Sequence, residues 1–165
     1  MSKIAIEQLF AELGLKPAIS QAGKLEHYRA ANLDVFVGDL FDLTREQLGK
    51  VAAVYDRAAL VALPEAIRPR YTAHLMDITN HAPQLLICYE YQQRLMDGPP
   101  FSIRNQEVER HYRAYFELTL LTSVNVPGGL KGKCTANEHV WLLKKKPNPG
   151  DRPDRGPLAA SRPEN

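Results

Sequence analysis

Ile6, Leu9, Phe10 and Leu13 recur at i, i+3, i+4 and i+7, the apolar stripe of an amphipathic helix, and Gly14 follows as its stop signal. Pro17 to Ala31 is polar and irregular and reads as a loop. Leu33–Val37 reads as a short strand broken by Gly38-Asp39, and Thr44-Arg45-Glu46-Gln47 has the form of a capping box opening a short helix. Val51–Tyr55 is the next apolar run. A helix is expected from Pro64, with Ile67, Tyr71, Leu75 and Ile78 at spacings near one turn and Pro69 close to its start, where proline is tolerated. Leu85–Glu90 is almost continuously apolar, as a parallel strand covered on both faces is. A further helix is expected from about Arg104 to Tyr115, with Val108, His111, Tyr112 and Tyr115 on one side. Leu118–Val126 and His139–Leu143 then read as two strands joined through Pro127–Gly132.

Strands alternating with helices and ending in a hairpin predict an α/β fold with a mostly parallel sheet and a C-terminal antiparallel hairpin. The pattern places one domain over residues 1–146. From Pro147 onward, five of nineteen residues are proline, which predicts a disordered tail over 147–165.

Composition narrows the function classes. At 165 residues, with 44% hydrophobic and 24% charged positions, the chain is expected to form one soluble globular domain. A net charge of +2, from 21 basic and 19 acidic side chains, argues against a nucleic-acid partner. No apolar run reaches membrane-spanning length, and Met1–Glu7 lacks the apolar core of a secretion signal. Cys88 in an apolar run and Cys134 in a polar loop read as free thiols, which suits a cytoplasmic protein. The five histidines show no HExxH and no zinc-ligand spacing, and neither Ser102 nor Ser123 stands in a G-x-S-x-G setting. Lys144-Lys145-Lys146 reads as a solvated edge.

The strongest chemical signal is Asp56-Arg57. An α/β strand that ends on charged residues sets them at the sheet's carboxyl edge, where open sheets bind ligands. Neither residue type is readily buried unless paired, so either the two form an ion pair that closes a loop or they serve a site.

The motifs in order are Gly38-Asp39-Leu40-Phe41-Asp42-Leu43, Val54–Leu63 through Asp56-Arg57, Leu86–Tyr91, Asp97-Gly98-Pro99-Pro100-Phe101 and Glu138–Leu143. Over residues 2 to 144 this order resembles the bacterial thiopurine S-methyltransferases. The resemblance implies a class I methyltransferase (Rossmann-like) sheet in spatial order 3-2-1-4-5-7-6, with S-adenosyl-L-methionine as cosubstrate. On that match Met1-Ser2 falls just after the family's second strand. The first strand with its glycine-rich loop and most of the second strand are then missing. Leu33–Val37 and Val51–Tyr55 would lose their shared neighbours, and are expected to repack side by side, to pair with another copy, or to leave the fold marginal.

The resemblance also implies roles. Arg57 would orient the reacting pair or hold the cosubstrate's carboxylate, with Asp56 orienting Arg57. Asp39 and Leu40 would meet the adenine end of the cosubstrate. Pro99, Pro100 and Phe101 would form a rigid apolar wall against an aromatic substrate. Two departures stand out: Gln92 where members commonly have Asp, and Pro127 near the place of a substrate-reaching arginine, with Lys131 and Lys133 the nearby cations. Two functions follow as expectations. One is an S-methyltransferase acting on aromatic or heterocyclic thiols or small chalcogen compounds. The other is an inactive remnant that binds partners or self-associates through an open sheet edge.

Overall fold

The structure is a computed structural model that describes residues 3–147. It opens with helix α1 (Lys3–Glu12), which buries Ile6 and Phe10 against Tyr28, while Leu9 and Leu13 face outward. Gly14 takes a positive φ of 66° and ends the helix as expected.

The next segment corrects the expected loop over Pro17–Ala31. It forms β1 (Ala18–Ala22) and β2 (Leu25–Ala30), which continue into β3 (Leu33–Val37) as an antiparallel meander. Two-residue turns, Gly23-Lys24 and Ala31-Asn32, join the three strands. β3 therefore finds its neighbour in β2 and does not lie beside the 51–55 run. Gly38 follows β3 at a place where a Cβ would meet the Leu25 side chain at 2.5 Å, which explains the glycine.

Thr44 caps α2 (Arg45–Leu48) with both halves of the capping box formed. Then come β4 (Val54–Asp56), α3 (Ala59–Ala62), α4 (Arg68–Ile78), β5 (Gln84–Glu90), α5 (Asn105–Tyr112), β6 (Phe116–Asn125) and β7 (Asn137–Lys145). α4 begins at Arg68 rather than Pro64, because Pro64–Ile67 forms a separate turn, and Pro69 lies in its first turn. α5 ends at Tyr112, which leaves Tyr115 exposed beyond it.

The second sheet has the order β4-β5-β7-β6. β4 and β5 are parallel, whereas β5–β7 and β7–β6 are antiparallel. The sheet is thus mixed, correcting the mostly parallel expectation, because the returning hairpin strand β7 inserts beside β5. One face carries the main core. Leu60, Tyr71, Leu86, Cys88, Ile103, Val108, Tyr112, Phe116, Trp141 and Leu143 pack there with α3, α4 and α5. On the other face Leu85, Ile87, Val140 and Leu142 are half-buried and join no buried cluster among the described residues, and Tyr55 is 62% exposed.

Cys88 and Cys134 are both buried and free. Among the described residues no helix is long and apolar enough to cross a membrane. The expected tail lies, from Asn148 onward, outside the described residues.

Candidate active site at the carboxyl edge of the parallel pair

β4 ends on Asp56, and the chain turns through Arg57 and Ala58 into α3. Successive residues of a strand point to opposite faces. Asp56 turns into the core and is 4% exposed. Its Oδ1 accepts the N–H groups of Ala59 at 3.2 Å and Leu60 at 3.4 Å, and its Oδ2 accepts the Tyr71 hydroxyl at 2.8 Å. Burial raises its pKa above the usual carboxylate range, with the Tyr71 and backbone hydrogen bonds opposing. The expected Asp56-Arg57 partnership is therefore not formed: Asp56 braces the β4–α3 turn, and Arg57 leaves on the other side.

Arg57 lines an open pocket of about 490 Å³ together with Ala58, Val61, Ala62, Tyr89, Pro99 and Pro100. Three elements converge here. The β4–α3 turn brings Arg57, the carboxyl end of β5 brings Tyr89, and the 97–101 loop brings the proline wall. That loop contains two cis peptide bonds, Gly98-Pro99 and Pro99-Pro100. It is fastened at several points. The Phe101 N–H donates to the Val61 carbonyl at 2.6 Å, the Tyr91 hydroxyl to the Pro100 carbonyl at 2.7 Å, and Lys131 Nζ to the Pro99 carbonyl at 2.7 Å. Ser102 Oγ and Gln93 tie the following residue back to Tyr91 and the 93–96 turn.

Phe101 does not join Pro99 and Pro100 in this pocket. Its ring turns under the Arg68 guanidinium, 5.5 Å from the centroid, and faces a separate polar cleft of about 750 Å³. Gly98 explains the turn: with φ +86, a Cβ there would sit 2.5 Å from the Phe101 ring. In the same cleft Arg68 and Glu107 form a buried, two-pronged ion pair at 2.8 and 3.0 Å.

Asp39 and Leu40 lie elsewhere. Asp39 Oδ1 accepts the Phe41 N–H at 3.0 Å and caps a single 3-10 turn, Leu40–Asp42. The Leu40 carbonyl is 2.9 Å from His74 Nε2, and its side chain packs against the main core. Neither residue lines the Arg57 pocket. Lys131, Lys133, Arg94 and Asp97 line a polar depression of about 400 Å³ that meets the pocket only at Pro99.

Tyr89 was hidden in the sequence within a run that read as doubly covered strand. It is half-buried, directly opposite Glu138 on β7. Burial pushes its phenol pKa up, Glu138 pushes it further, and Arg57 opposes. Its strand parity turns it away from Cys88 and into the pocket that Arg57 lines, while its ring packs against the cluster of Tyr91, Met96, Leu130, Cys134 and Ala136.

The family model for thiopurine S-methyltransferase matches residues 1–146. A thiopurine S-methyltransferase of Xanthobacter autotrophicus is 51% identical over 145 residues, covering 88% of this chain and 68% of the relative. One of Teredinibacter turnerae is 43% identical over 148 residues, covering 90% and 69%. One of Gluconobacter oxydans is 42% identical over 147 residues, covering 89% and 67%. The chain thus spans about two thirds of the length of each of these three relatives.

Proposed function

Because the chain belongs to the thiopurine S-methyltransferase family, a family of S-adenosylmethionine-dependent enzymes, we propose that the Arg57 pocket serves methyl transfer to the sulfur of an aromatic or heterocyclic thiol. The observation that carries this reading is the pocket's lining. One permanent cation stands among apolar side chains and the Tyr89 phenol, and no carboxylate or imidazole lines the pocket among the described residues. Such a lining suits an acceptor that arrives already ionised. An aromatic thiol loses its proton readily, so no general base is needed. Arg57 attracts and orients the anion, while Val61, Pro99 and Pro100 strip water from it.

The fit to S-adenosyl-L-methionine is good at one end. Arg57 forms no ion pair among the described residues, so its guanidinium is free to grip a carboxylate. Asp39 could offer its second carboxylate oxygen to an adenine amine, although it stands outside the pocket. When bound, the cosubstrate supplies an electrophilic methyl group. The chain's own part is then positioning, which can contribute up to about 7–11 kcal/mol in reactions of this kind. Methyl transfer from labelled S-adenosyl-L-methionine to a thiophenol, compared with the matching phenol, tests the reading. Transfer to the thiol alone supports it; transfer to neither removes it.

A second reading is favoured by the bare apolar face of the second sheet and the free edge of β4. Here the chain is a binding module whose partner is a second copy, stacked sheet to sheet. Four strands at about 4.8 Å spacing would bury roughly 1,000 Å² over two copies, near the lower bound of a specific interface.

A further inference from the structure

We propose that Tyr89 is a positioning residue for Arg57: it lines the same pocket, stands directly opposite Glu138, and its hydroxyl is the group that would hold the guanidinium over the pocket. The inference rests on the reading of this pocket as the methyl-transfer site. A free arginine side chain samples many rotamers, and Arg57 has no ion pair among the described residues to hold it. Yet an orienting cation must be held still to be worth much.

Tyr89 is placed for that task. It stands on β5, a central strand paired with β4 on one side and β7 on the other. Its backbone is therefore among the best fixed in the sheet. Cross-strand partners in antiparallel pairs lie within side-chain reach, and Glu138 is the direct partner of Tyr89. Arg57 lines the same pocket from the end of the parallel neighbour.

A phenol hydroxyl has one proton to give and lone pairs to receive. Donating to Glu138 would leave the oxygen free to receive an N–H of Arg57, linking the β4–α3 turn to β5 and β7. The raised phenol pKa, with Glu138 raising and Arg57 lowering it, agrees with that order. Glu90, the other acid nearby, faces the opposite side of the sheet, where its Oε2 lies 3.7 Å from His139 Nδ1.

Tyr89→Phe keeps the ring and removes only the hydroxyl, so a double-mutant cycle with Arg57→Ala tests the proposal. Methyl transfer to a thiophenol should fall about tenfold in kcat/KM in the wild-type background, and not at all in the Arg57→Ala background. Glu138→Gln should reproduce part of the same loss. No loss in Tyr89→Phe, or an equal loss in both backgrounds, overturns the proposal.

A ligand-free measurement separates its failure from failure of the methyl-transfer reading. If the wild-type chain turns over no thiol, titration of the Tyr89 ring carbon by NMR still decides the coupling. The phenol should titrate lower in Glu138→Gln and higher in Arg57→Ala. Identical titration in all three proteins removes the role of Tyr89.

Discussion

The Tyr71 hydroxyl donates to the Asp56 carboxylate at 2.8 Å inside the core, and this bond joins the end of β4 to the first turn of α4. Asp56 is therefore a structural acid. Tyr71→Phe removes its strongest donor and should cost about 1–3 kcal/mol in urea denaturation.

The pH dependence of stability carries the same signature. A carboxyl whose folded pKa lies above its unfolded value binds more protons folded than unfolded over that interval. Its contribution to stability thus falls as pH rises from the ordinary carboxylate range to the raised value. Asp56→Asn cannot ionise, so denaturation midpoints measured across this interval should show a smaller fall in the variant than in the wild type.

Glu107→Gln tests the buried ion pair above the Phe101 ring. Arg68 and Glu107 are 4% and 8% exposed, so removing one charge strands the other and should destabilise by about 3–5 kcal/mol. Replacing both by apolar residues of similar volume should recover most of that loss, as read by thermal or urea denaturation.

Arg57→Ala should leave the melting temperature nearly unchanged, since Arg57 is exposed and forms no ion pair among the described residues. Methyl transfer should fall by roughly 10²-fold, the scale seen when one preorganised electrostatic group is removed. Equal turnover in variant and wild type would take Arg57 out of the reaction.

Gly98→Ala adds a methyl group 2.5 Å from the Phe101 ring at a backbone φ of +86. The ring must leave its place under Arg68, and a cost of about 1–3 kcal/mol is expected. Thiol transfer should drop with it, because the same loop carries Pro99 and Pro100. A variant with unchanged stability would mean that the ring moves aside freely.

Self-association is the expected outcome if the half-buried apolar face of the second sheet receives a second copy. The purified chain should show a concentration-dependent mass by light scattering, and Ile87→Glu should abolish it. A constant monomer mass at high concentration would leave that face without a second copy.

The legible parts of the sequence were those with a local physical signal. The Thr44–Gln47 capping box, the stop at Gly14 and the tolerated Pro69 each depend on neighbours along the chain, and each formed. The β1–β2 hairpin was missed because β1 is exposed along almost its whole length and shows no apolar alternation. The Asp56-Arg57 motif marks the carboxyl edge of β4, yet only the sheet's alternation shows that the two side chains part. Phe101 was misplaced for a similar reason: a loop's residue order does not say which side of the loop each ring takes. Tyr89 becomes a candidate only through its register with Glu138 and its place in the Arg57 pocket, neither of which its apolar run encodes.

The fastening of the proline wall bears on how the pocket chooses. Val61, Tyr91 and Lys131 hold consecutive peptide groups of the 99–101 segment from three different parts of the chain. If a flat ring docks against Pro99 and Pro100, as proposed, it has no loop to order on arrival. On the proposed reading its affinity would be set by its own shape and by the charge it brings to Arg57, and a ligand too thick for the wall would be refused rather than accommodated.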